Sequence, residues 1–243
     1  MSETAPAPAP APATSRWEDF IDIFISPAEL FRRRADGRFG HALLMLVVLS
    51  AALYFGTRTA MQPVMDAEFA RSSALAMKNT PGMTPERLES FRAMTTRIAP
   101  IFVIVGLPLA IFVLGAIVWL AARMVGGRVN YAQGATIMSF AFFPKLIEGI
   151  SSAVQALLLD EAKITSRFSV SLGIGRFLDP AQTNPLLFAL LGRVDLFTLW
   201  VTALIAVGFK QMGKLSTGQA VAGAAIVWLI GALPALLQAL RAG

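Results

Sequence analysis

The chain has 243 residues, 56% of them hydrophobic and 15% charged. A soluble domain averages about 45–50% apolar and about 25% charged, and here the excess falls in long blocks, so the composition excludes a soluble globular protein and points to a polytopic membrane protein. Without cysteine and with a single histidine there is no disulfide, thiolate metal site or histidine cluster, no cofactor is expected, and the net charge of +6 reads as loop arginines facing anionic lipid rather than as a nucleic-acid footprint.

Residues 1–15 are almost entirely Ala, Pro, Ser, Thr and Glu and cannot bury surface, so they are expected to form a disordered tail. Residues 16–38 change character. Trp17, Phe20, Ile21 and Phe24 recur at helical spacing, with Glu18, Asp19 and Asp22 off the stripe. Ser26-Pro27-Ala28-Glu29 has the pattern of a capping box with proline at the first helical position, and so predicts a second helix. That helix carries Arg32, Arg33 and Arg34 at its end. An aromatic edge with a basic end is the composition of a helix lying in the membrane interface, and Trp17, Phe20, Phe24, Arg32, Arg33 and Arg34 are its candidate lipid contacts. A helix packed on the bundle is the alternative.

The remainder, residues 39–240, holds five apolar spans at about 41–57, 98–122, 131–158, 187–209 and 218–240. Between the first two lies the longest hydrophilic stretch, with helical pieces expected at 66–77 and 85–96 and Thr84 as an N-cap. Pro108 predicts a kink in the second span and Pro144 another in the third, because proline lacks an N–H and crowds the carbonyl one turn earlier. The loop sequence Gly173-Ile174-Gly175-Arg176 lacks the Gly-Lys-Ser/Thr ending of a phosphate loop and carries no such weight. In the fifth span Gly218 and Ala222 fit a small-xxx-small helix contact, with general Ala/Gly richness as the bland alternative.

Two spans hold interior charge: Lys145 and Glu148 in the third, Arg193 and Asp195 in the fourth. Each charge at bilayer depth costs about 2.5–3.5 kcal/mol on insertion scales. From the helical rise, Lys145 falls near the midplane, with Glu148 roughly 3 Å, Asp195 roughly 4–5 Å and Arg193 roughly 7–8 Å outward. Glu148 is therefore expected to meet Arg193, and Lys145 to reach Asp195. Such a network either fixes helix register or lines a path for an ion, proton or lipid headgroup.

The turns at 123–130 and 210–217 and the segment before the first span are basic and share one side of a five-span topology, which places the N-terminus in the cytoplasm and the C-terminus outside. Taken together, these features describe an all-α membrane protein: a five-transmembrane-helix bundle with an N-terminal interfacial amphipathic helix.

Asn184-Pro185-Leu186, Leu190-Leu191-Gly192, Asp195-Leu196-Phe197-Thr198-Leu199-Trp200 and Ala206-Val207-Gly208, with Tyr131-Ala132-Gln133-Gly134 ahead of Pro144 and Ser26-Pro27-Ala28-Glu29-Leu30-Phe31 near the start, resemble the bacterial Yip1-like membrane family over about residues 15–240. The resemblance implies a five-span helical domain with a cytoplasmic N-terminus. Eukaryotic members are linked to vesicle trafficking and bind Rab-type small GTPases, whereas the Ala/Arg-rich composition here suggests a bacterium and hence its inner membrane. The expected role is non-enzymatic: organising the membrane or recruiting partners. Anionic lipid is one expected partner, with a membrane protein or a second copy of the chain as others. A small-solute, ion or lipid transporter using the charged spans is the alternative. An intramembrane enzyme is disfavoured, because Ser139 and Ser151 have no base to serve them.

Overall fold

The structure, a computed structural model, describes residues 17–179 and 182–242. The Ala/Pro tail at 1–15 lies outside the described residues. Two short helices come first, α1 (Glu18–Ile25) and α2 (Pro27–Arg33), followed by α3 (Gly40–Thr57), α4 (Gln62–Asn79) and α5 (Pro85–Ile101). Then come α6 (Leu107–Met124), α7 (Tyr131–Ala141), α8 (Pro144–Leu158), α9 (Pro185–Leu191), α10 (Leu196–Gly213) and α11 (Thr217–Ala242). Among the described residues, five helical runs are long and apolar enough to cross a membrane: Gly40–Thr57, Pro85–Met124, Tyr131–Leu158, Leu196–Gly213 and Thr217–Leu240.

The two predicted prolines act differently. Before Pro108 the chain does not break. It widens into a π-helical turn, Phe102–Gly106, in which the Leu107 N–H donates to the Phe102 carbonyl, so one helix of 40 residues runs from Pro85 to Met124. The wide turn spares the helix the clash that proline imposes one turn back. Pro144 interrupts its helix instead. The turn tightens around it through bonds from Phe143 N to Phe140 O, Lys145 N to Phe142 O and Leu146 N to Phe143 O at 3.0–3.1 Å, and Pro144 opens α8, where its missing N–H has no partner to lose.

The fourth span departs from the hydropathy reading. Residues 187–209 are not one helix: α9 ends at Leu191, the chain turns through Gly192–Val194, and Asp195 caps α10. Arg193 and Asp195 therefore stand at the end of the membrane helix, not inside it. Asp195 drives the restart, because its Oδ1 accepts from Phe197 N at 3.0 Å and Thr198 N at 2.9 Å and so satisfies two donors the helix start leaves open.

The bundle is held most extensively along α6 and α7. Two glycines make that seam. A Cβ on Gly134 would stand 2.5 Å from the Gly115 carbonyl oxygen and 3.0 Å from Trp119, so the backbones touch where only glycine fits. Gly134→Ala should lower stability by about 1–3 kcal/mol through overpacking, read as the thermal midpoint in detergent. Gly218→Ala, with nothing within 4 Å, should leave that midpoint unchanged and serves as the control. The open space at Gly218 also removes the predicted Gly218/Ala222 contact; Gly223, against Phe209 and Val125, is the close approach on α11.

Thr84 caps α5 as expected and Asn130 with Gln133 forms a full capping box on α7. Ser26 does not: its side chain makes no capping bond, and Glu29 pairs with Arg32 instead, leaving Pro27 as the local signal that starts α2. A second small core of Val64, Ala156, Ile164 and Val170 joins α4, the end of α8 and the loop after it into a cap beyond the bundle. Glu68 ties that cap together, bonding Arg71 at 2.5 Å and the Arg167 N–H at 3.4 Å. Burial alone would push its carboxyl up, but the hydrogen bonds and charges of Arg71 and Arg167 together outweigh burial and hold it below the usual carboxylate range.

Candidate functional site

Lys145 rises from the first turn of α8, directly after the proline break, and meets the start of α10. Its Nζ lies 2.6 Å from Glu148 Oε2, 3.9 Å from Asp195 Oδ1 and 3.0 Å from Thr198 Oγ1, to which it donates. Lys145 and Glu148 share a face because they are three residues apart. Their contact is ionic rather than a well-directed hydrogen bond, since Glu148 Oε2 accepts no aligned donor. Asp195 thus faces both ways, with backbone N–H groups of its own helix on one side and the ammonium of α8 on the other.

The loop after α8 completes the arrangement. Residues 172–174 pair in extended fashion with 194–196, through Ile174 N to Val194 O at 3.0 Å and Leu196 N to Leu172 O at 3.2 Å. Gly173 has to be glycine there, because a Cβ would sit 2.6 Å from that of Asp195. Gly175 and Gly192 meet across Phe168 in the same way. The glycines that superficially suggest a phosphate loop therefore serve close backbone packing.

Arg193 does not join the cluster. The expected pairing with Glu148 does not form, because the break turns Arg193 away from α8 and onto α11. Its Nη2 reaches the Trp228 carbonyl oxygen at 3.5 Å, and its guanidinium carbon stands 5.7 Å from the centre of the Trp228 ring. Sequence reasoning found neither Thr198 nor Trp228. Thr198 was recoverable as the third residue after a capping aspartate, whereas nothing local announces Trp228.

Beside the cluster, α3 and α8 frame a cavity of about 250 Å³ lined by Leu46, Leu53, Phe142, Leu146 and Gly149, with Ser50, Tyr54, Thr57 and Lys145 as its polar groups. It is a largely apolar recess with a single, already paired ammonium at one edge.

The N-terminal residues assigned to lipid are largely turned to protein. Phe20 packs against Phe143 at 5.2 Å and His41 at 5.4 Å, and Phe24 meets the Trp200 ring at 5.7 Å. Ile23, Leu30 and Phe31 are fully buried. Arg33 donates to Asp19 at 3.0 Å and Asp22 at 2.5 Å, and Arg34 Nε donates to Asp19 at 2.7 Å, so neither arginine is free for a phosphate. The physical reason is the reversal at Ser26-Pro27, which folds α2 back along α1 and brings basic and acidic ends together. Trp17 at 64% and Ile21 at 61% stay exposed, and Arg32 pairs only with its neighbour Glu29 on the surface.

The model of the Yip1 domain family matches residues 21–237. Membrane protein YknW of Bacillus subtilis (strain 168) is similar, 23% identical over 145 residues, which are 60% of this chain and 60% of that protein. No solved structure matches. The family match takes in the second half of α1 with α2, the α6–α7 seam, the Lys145–Asp195 junction and nearly all of α11, and on that extent the chain belongs to the Yip1 domain family.

Proposed function

We propose that this Yip1-family membrane protein is not an enzyme or a conduit but organises the bilayer or recruits partners at it, from a bacterial inner membrane with its N-terminus in the cytoplasm and its C-terminus outside. One observation carries the reading. The ionisable groups of α8 and the start of α10 are spent on one another, Lys145 with Glu148, Asp195 and Thr198, and Asp195 again with its own helix. A charge set that is closed in this way fixes how helices meet and leaves no free carrier of protons or ions.

The test is direct. Purified protein in sealed vesicles should give proton and small-solute fluxes no larger than empty vesicles, while a photocrosslinker at Ile21 in living cells should return discrete adducts. A flux that Lys145→Met or Asp195→Asn abolishes would replace this reading with a transporter.

A further inference from the structure

Among the described residues, α5 packs broadly against no other helix. One flank is tied to α4, where Arg92 bonds Asp66 and lies 4.7 Å from the centre of the Phe69 ring. Another face carries a ridge of large apolar side chains. Phe91, Met94, Ile98, Ile101 and Val105 follow one another by three, four, three and four residues, and they are 45–61% exposed. That spacing is the one by which two helices interlock in a coiled coil, with these residues at its a and d positions. Glu86, Glu89, Arg92 and Arg97 all fall off the ridge. Arg87 continues it at the tip of the helix, but its guanidinium turns back and donates to the Gly82 carbonyl at 3.1 Å.

Lipid covers only the far end of this ridge. The 18 residues of α6 take up most of the hydrocarbon thickness, and Phe91 stands roughly 24 Å further along the helix, beyond the headgroups. Phe91 and Met94 therefore meet water, where an apolar ridge is a contact surface awaiting its partner. A second copy of the chain fits it best. Two copies in one bilayer share orientation and depth, so a two-fold axis along the membrane normal brings the same ridge against itself, parallel and in register. In that pairing the residues beside the ridge meet as Ser90 with Thr95 and Arg97 with Phe102. No like charges face each other, and the one cation meets an aromatic ring.

We infer that the protein forms a parallel homodimer in which the Phe91–Val105 ridge of α5 packs against the same ridge of a second copy. The contact names one partner for the organising role proposed above, and the two are tested apart: fluxes in vesicles bear on that role, and self-contact of α5 bears on the dimer. It also gives the solvent-standing half of the 40-residue helix the support that its own chain does not supply.

The chain has no cysteine, so single cysteines introduced into the full chain can be crosslinked in native membranes without background. Met94→Cys and Ile98→Cys should each join to the same position of a second copy, because a parallel, in-register pair sets every ridge residue opposite itself. Thr96→Cys, exposed on the far side of the helix, should yield about tenfold less. Equal yields at the three positions, as random collision gives, or no product at the ridge, overturn the contact. Native mass spectrometry of the full chain should show a dimer, and Met94→Glu with Ile98→Glu should raise its dissociation constant at least about tenfold. A dimer that this pair of substitutions leaves unchanged refutes the ridge as its interface. A photocrosslinker at Ile98 should return the chain's own α5, a reading that needs no disruptive variant. Adducts confined to lipid or to a different protein overturn the second copy as the occupant.

Discussion

Asp19→Ala should release the α1–α2 hairpin from the bundle, at a cost of about 2–3 kcal/mol. Asp19 is 1% exposed and receives both Arg33 and Arg34, so removing its carboxylate takes away the charged acceptor that both guanidinium groups share. Arg33 keeps Asp22, but Arg34 keeps no carboxylate. Hydrogen exchange over residues 18–33 should rise sharply, and trypsin should cut after Arg33 or Arg34. Glu29→Gln is the comparison. That residue and its partner Arg32 are both largely exposed, and the change should stay within about 0.5 kcal/mol. If Asp19→Ala and Glu29→Gln exchange alike, the hairpin is not held by these charges.

The second large effect is at Asp195, where two substitutions separate its two duties. Asparagine caps a helix as well as aspartate does, so Asp195→Asn keeps the bonds to Phe197 and Thr198 and loses only the attraction to Lys145. Lys145 still has Glu148, so the loss should be about 1 kcal/mol. Asp195→Ala removes cap and charge together and leaves two buried backbone donors open, for about 2–3 kcal/mol. Thermal midpoints in detergent and membrane abundance should rank wild type, then Asn, then Ala. Equal midpoints for Asn and Ala would mean the cap contributes nothing; wild-type values for both would remove the junction from the fold's supports.

What was legible in the sequence follows from what hydropathy measures. A run of apolar residues reports that a segment prefers lipid, and the first, second, third and fifth spans lie where their runs lie. It does not report where the hydrogen-bond ladder is interrupted. Residues 187–209 carry no charge apart from Arg193 and Asp195 and are mostly apolar, so the break between α9 and α10 was hidden in a window average, although Gly192 followed by a capping aspartate is its local signature. The same limit misplaced the charge pairs: depth counted along a straight helix put Arg193 opposite Glu148, and the turn carried it to Trp228. At the N-terminus Asp19 and Asp22 could be placed only off the apolar stripe, because their partners lie 11–15 residues away, beyond the reach of any one-helix pattern. Only the reversal at Ser26-Pro27 brings them together.

The π turn at Phe102–Gly106 has a mechanical meaning. A helix of 40 residues is about 60 Å long, twice the hydrocarbon thickness of a bilayer, so the α5 half stands clear of the membrane while the α6 half is pinned against α7 by glycine backbones that leave no slack. The run is therefore a lever. The cap built on α4 is its handle, the Gly115–Gly134 seam its fulcrum, and the widened turn between them its one compliant joint. A load on the cap reaches the bundle directly through the end of α8, and along α5 as a bend at residues 102–106, where the widened turn absorbs what a stiffer joint would transmit to the seam.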